Sequence, residues 1–217
     1  MLYTDYINFY EYVLPEVHGC PKAVAKNAIR DAVIEFCDKS QVWTAPSEDT
    51  DIVAGYSRYS FDARTDGAIV ATIGYAAIND NPISRVSIYE LEEKMPNWRY
   101  VTSKTPNVCF MDTSESMRLV GEPEEDIIGG LYVEVVLKPS RTSTECPQFL
   151  LENWAEAIAH GALARLKAMV GRPWADGQMV SYHRNEFRAG ISRARSSAQK
   201  SNQTLSRTMK AKSFLEL

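Results

Sequence analysis

The sequence predicts an α+β fold: a helical bundle, an inserted small antiparallel β-sandwich or barrel module, and an extended C-terminal arm. Three observations lead there. Apolar residues recur at helical spacing toward both ends of the chain, the pattern turns β-branched and aromatic in between, and large apolar residues thin out beyond residue 200. The expected divisions are 1–45 for the N-terminal helical part, 46–145 for the β module, 146–200 for the C-terminal helices and 201–217 for the arm.

Residues 1–19 carry Tyr3, Tyr6, Ile7, Phe9, Tyr10, Tyr12, Val13 and Leu14, whose spacings predict a short helix closed by Pro15. Pro21 suits a first helical position, where its missing N–H would have had no partner. Val24, Ala28, Ile29, Ala32, Val33, Phe36 and Cys37 then mark one face of a helix through about residue 40. After TAPSEDTD the period changes. DIVAGYSRYSF and GAIVATIGYAAI, joined by DARTDG, read as a hairpin. ISRVSIYEL, WRYVTS, NVCFMD, MRLV and IGGLYVEVVLKP are further strand candidates, separated by breakers such as NDNP, KMPN, KTPN and GEPEED.

The helical period returns after Pro139-Ser140. STECP, residues 143–147, reads as a capping run before a helix whose stripe is Leu151, Trp154, Ile158, Ala162, Leu166 and Met169, with Gly171 as its stop. Gly161 lies inside that helix at a propensity cost of about 1 kcal/mol, which close approach by a neighbouring helix would justify. RPWADGQ is a turn, and a last helix over about 176–200 presents Val180, Phe187, Ile191, Ala194 and Ala198 on one side. Neither outer helical segment can bury its stripe alone, so the two are expected to pack together.

Signatures of catalysis are lacking. There is no GxxxxGK[ST], no GxGxxG between strand and helix, and no GxSxG. His18, His160 and His183 have no placed nucleophile and no metal-ligand spacing. Cys20, Cys37, Cys109 and Cys146 contain no CxxC and are expected as reduced thiols. EPEED at 122–126 lacks the spacing of a calcium loop. The expectation is no enzyme, no cofactor and no metal. No apolar run nears the roughly 18 residues that would cross a bilayer, and the aromatic, acidic first residues are no secretion signal. Synthesis in the cytosol is therefore expected, with work there or in something assembled there, and no membrane partner.

The formal net charge of −4 conceals a division. Residues 1–160 hold 13 Lys/Arg against 25 Asp/Glu, and residues 161–217 hold 11 against 3. Arg184, Arg188, Arg193, Arg195, Lys200, Arg207, Lys210 and Lys212 face only Glu186 over 180–212, and Phe214-Leu215 stands near the end of the chain. Guanidinium groups suit bidentate contacts with carboxylates or phosphates. The segment reads as one that folds on an acidic partner. DNA is the alternative partner, which would make the chain a nucleic-acid-binding protein. Against it, no aromatic is interleaved with the basic residues between Phe187 and Phe214, and the acidic body would repel phosphates within about 8–10 Å.

The order of elements, with PKAVAKNAIRDAVIEFCDKSQVW at 21–43, LYVEVVLKPS at 131–140 and ENWAEAIAHGALARLKAMVGRPWADGQMVSYHRNEFRAGISRARS at 152–196, resembles the head-to-tail adaptor (neck, gatekeeper or connector) proteins of tailed bacteriophages. The resemblance implies a structural virion protein assembled in the host cytoplasm. Such proteins form a ring, commonly a dodecamer, beneath the portal protein, and meet the tail or nozzle protein on the other side. Genomic DNA passes through the channel without sequence-specific binding. It also implies that the basic segment from Arg184 to Leu215 docks on the portal, and that Trp154, Ile158, Gly161, Leu166, Trp174 and Phe187 serve helix packing.

Overall fold

Helical spacing at the two ends of the chain is realised as three long helices that touch one another and rest on a sheet. The computed structural model describes residues 1–47, 50–61 and 67–199. The chain begins with β1 (Tyr3–Asp5), a 3-10 turn over Tyr6–Phe9, α1 (Tyr10–Val13) and a second such turn, Leu14–Glu16, that contains Pro15. The expected single helix is thus broken into three turns, and Tyr6, Phe9 and Val13 are fully buried. In α2 (Lys22–Ser40), Pro21 sits just ahead of the first helical residue in an extended conformation. The helix stops where Gln41 takes a positive φ of 57° and returns its N–H to Cys37 O.

Next come β2 (Thr44–Pro46), β3 (Thr50–Ile52), β4 (Arg58–Ser60), β5 (Ala68–Ile78), β6 (Asn81–Pro82), β7 (Ser84–Arg85) and α3 (Ile88–Lys94). They are followed by β8 (Thr102–Ser103), β9 (Val108–Thr113), β10 (Ser116–Val120), β11 (Glu122–Pro123) and β12 (Ile127–Pro139). β13 (Glu145–Pro147), α4 (Gln148–Lys167) and α5 (Gly177–Gln199) complete the described chain. The main sheet has the order β2-β12-β5-β6, with β3 also on β12, and a second has the order β4-β10-β9-β7. Most pairs are antiparallel, but β7–β9 and β8–β11 are parallel. Among the described residues no sheet closes into a barrel.

Four local expectations give way. The segments on either side of DARTDG do not form a hairpin. The long β5 pairs instead with the equally long β12, from Leu131↔Ile78 to Pro139↔Ala68, while β4 goes to β10. The reason is burial: Val70, Ile73 and Ala76 of β5 join Leu131, Val133, Val135 and Leu137 of β12 in one core, and the three-residue β3 and β4 offer no comparable match. ISRVSIYEL becomes a two-residue strand and then α3, because Ser87 Oγ accepts from Glu90 N–H and caps it. WRYVTS opens as a 3-10 turn at Trp98–Tyr100 before β8. STECP is not a cap but contributes β13, which pairs with β1; Ser143 Oγ lies 2.6 Å from Tyr6 Oη.

α4 departs from its predicted single stripe. It is buried on several sides, including Leu150, Ala157, Ile158, Gly161, Leu163 and Leu166, because α1, α2 and α5 all pack on it. One continuous core runs from Tyr6 and Phe9 through α2, β5, β12, α4 and α5. Each large apolar side chain fully buried there contributes about 1.5–3 kcal/mol. A satellite cluster of Leu91, Trp98, Phe110 and Val120 holds α3 to the second sheet.

Candidate functional site

α5 starts on Asp176, whose Oδ1 accepts the N–H groups of Gln178 and Met179 at 3.2 and 3.3 Å. It buries His183, Phe187, Gly190, Ile191 and Ala194, a helical stripe that includes His183 where Val180 had been expected; Val180 and Ala198 are half-buried. Two glycines bring α4 and α5 together. A Cβ on Gly161 would stand 2.7 Å from the Phe187 ring, and one on Gly190 would stand 2.5 Å from Ala157 Cβ. Phe36 of α2 joins them, with its ring centroid 5.7 Å from Trp154 and 6.3 Å from Phe187. Ile158 and Leu166 are fully buried and Trp154 is half-buried. Trp174 is buried beside the turn, with the Arg172 guanidinium 6.0 Å from its ring.

Arg184, Arg188, Arg193 and Arg195 are all exposed. At about 100° per residue, Arg184, Arg188 and Arg195 fall within a narrow sector of α5, and Arg193 points to the other side. Arg184 and Arg188 form one wall of a cleft of about 480 Å³ between α2, α4 and α5. Lys39, Arg165, Glu35 and Phe187 complete the parts of it that carry charge or shape. Arg165 is held in place: Nη1 donates to Gly161 O at 2.8 Å, Nη2 pairs with Glu35, and the guanidinium lies 5.9 Å from the Phe187 ring. Burial would push the Glu35 carboxyl up, but Lys39 and Arg165 together hold it below the usual carboxylate range. Four cations thus surround one ionised acid. Arg184 and Arg188 form no ion pair with any described residue, so their donors are available to a carboxylate or phosphate.

Arg195 lines a separate cleft of about 360 Å³ with Gln41, Glu134 and Val136, beside β12 of the main sheet. Lys200, Arg207, Lys210, Lys212, Phe214 and Leu215 lie outside the described residues. Sequence reasoning missed Lys39 and Arg165, which sit on helices read as scaffold; only the fold brings them to Arg184 and Arg188.

The two histidines on α4 and α5 meet. His160 Nδ1 and His183 Nδ1 are 2.8 Å apart, and Tyr182 packs edge-on against both rings. Burial first, and then His160, lower the pKa of His183, which favours its neutral form. Among the described residues no group of three or more His, Cys, Asp or Glu is arranged to hold a metal ion. Cys20, Cys37, Cys109 and Cys146 are free thiols, all but Cys20 buried. No described helix is long and apolar enough to cross a membrane.

Compared with curated proteins, the chain has no match. A family model does match: that of the SU10 adaptor protein, over residues 16–209, from the turn before α2 past the end of α5. The matched span takes in the three runs that carry the likeness to phage head-to-tail adaptors, and the chain belongs to the SU10 adaptor protein family.

Proposed function

We propose that this chain is a head-to-tail adaptor that forms a ring under the portal, docks there by its basic C-terminal segment, and links the portal to the tail around the DNA channel. Membership of the adaptor family over residues 16–209 is the observation that carries the reading. It supports reading the chain as a structural component of a phage virion rather than as a catalyst. We read 1–45 and 146–200 as one helical body and 46–145 as an insertion that reaches toward the tail.

The charge division supports the docking end. Residues 161–217 hold nearly half of all Lys and Arg and only three acids. In this reading Arg193 and Arg195, with Lys200, Arg207, Lys210 and Lys212 beyond them, meet carboxylates of the portal, and Phe214-Leu215 fills an apolar pocket at the far end. Ordering such a segment costs about 1–2 kcal/mol per residue of backbone entropy, which contacts with the portal offset. Repetition around a ring, commonly of twelve copies, turns one weak contact into avidity. DNA then threads the ring without being gripped.

The test is co-sedimentation of the full chain, and of a chain ending at Ser201, with portal rings from the same phage. The full chain is expected to occupy the rings, and the shortened one to bind them much more weakly while keeping its helical signal by circular dichroism. Full occupancy by the shortened chain would remove the arm as anchor. Tight binding to duplex DNA with none to portals would favour a nucleic-acid-binding protein.

A further inference from the structure

α4 carries charge of opposite sign on opposite sides. Arg165 faces α2, where it meets Glu35 and forms part of the basic cleft. Glu156 lies nine residues earlier, which at about 100° per residue is half a revolution away. Glu152, one turn before it, is also exposed and accepts from the neutral Gln148 amide at 2.7 Å. Glu156 has no cationic partner among the described residues. Both Glu11 and Glu156 act on the Tyr12 phenol and help raise its pKa, so acid from α1 and α4 converges on this side.

We propose that the cleft walled by Lys39, Arg165, Arg184 and Arg188 receives Glu152 and Glu156 of a second copy of this chain. Two features of the geometry point to that occupant. Glu152 and Glu156 are four residues apart on α4, and Arg184 and Arg188 are four residues apart on α5. Each pair therefore presents its groups at the same spacing of about 5–6 Å, which lets two guanidiniums meet two carboxylates at once. The two surfaces are also different and lie on opposite sides of the helical layer. Contact between them is head-to-tail, the kind that either closes into a ring or runs on as a filament. Duplex DNA fits less well: it presents an unbroken line of charge, about one per 1.7 Å, and would meet the acid-rich remainder of the body beside a cleft open to two or three groups.

This contact deepens the ring reading above and rests on it, and it assigns Arg184 and Arg188 to the neighbouring copy instead of the portal. The test mixes isotopically heavy and light full-length chain, free at rising concentration and on portal rings. It uses a zero-length carbodiimide cross-linker, mass spectrometry and sedimentation velocity. Heavy-to-light cross-links between Lys39 and Glu152 or Glu156 are expected. Arg184→Glu with Arg188→Glu should weaken association by about tenfold or more, because like charges then face each other. Glu152→Arg with Glu156→Arg should do the same, and a chain with all four reversed should associate again. These residues are exposed, so each variant should keep the wild-type circular dichroism. If the arginine reversals leave association unchanged, the ring stands and this contact is wrong. If the wild type never associates, free or on portals, both ideas fall. Duplex DNA that binds the wild type and loses affinity with the arginine reversals, without any such cross-link, gives the cleft to nucleic acid.

Discussion

Where α4 crosses α5, the backbones approach so closely that Gly161 and Gly190 leave no room for a Cβ against Phe187 and Ala157. Where β5 runs along β12, the ladder shifts register at Glu134/Val135 and again at Val136/Leu137 and still continues to Pro139. Both contacts feed the same core, yet they tolerate error differently. Helix crossing depends on a few positions at which volume is fixed. The sheet spreads its pairing over many backbone bonds and takes up irregularity as bulges.

The largest expected effects test whether these regions are one cooperative unit. Leu166→Ala in α4 and Leu137→Ala in β12 each remove a fully buried side chain and should each cost about 2–5 kcal/mol in urea unfolding. Because both belong to the continuous core, both should move a single transition. Two transitions, each answering to one substitution, would divide the molecule into independently folding halves.

Next in size is a comparison of glycines. Gly161→Leu is expected to cost about 1–3 kcal/mol by overpacking against Phe187. Gly74→Ala, whose Cβ would sit 3.1 Å from Glu134 O, should cost less, since the bulged ladder beside it can give. An equal or larger loss at Gly74 would reverse the contrast.

A gentler change should follow pH. His183 is held below the ordinary histidine pKa, by burial first and then by His160, against the opposing pull of Glu16 and Asp176. The unfolded chain thus takes up a proton that the folded chain resists. Stability from this site is complete above about pH 6.5 and declines as pH falls below it. His183→Gln should flatten the urea midpoint between pH 7 and 5; a profile as steep as the wild type's would place the titration elsewhere. Smallest of all, Lys138→Ala removes the 2.6 Å bridge to Asp38 that joins β12 to α2, and should cost about 0.2–1 kcal/mol, less at high salt.

The same contrast governs what could be read from residues alone. The helices α2, α4 and α5 were legible because a 3.6-residue period is written locally. β5 and β12 were legible as strands, but their partnership was not: it links segments more than fifty residues apart and outcompetes the nearby turn that promised a hairpin. α3 left a signal that went unused, the Ser-x-x-Glu spacing of Ser87 and Glu90, of which the structure makes the half in which Ser87 Oγ accepts the Glu90 N–H. Of the cleft, Arg184 and Arg188 stood out by charge. Lys39 and Arg165 did not, since nothing local marks a cation on α2 or α4 as a neighbour of α5. The encounter of His160 with His183 is likewise a product of helix crossing.

Phe187 seated in the notch at Gly161 has a mechanical consequence. A tug on the far end of α5, along its axis, cannot slide the helix a turn forward without driving the ring into backbone. The load would pass sideways into α4, and from there to everything stacked around it. For a structural part of a virion, a peg that blocks slippage is worth more than a stronger glue.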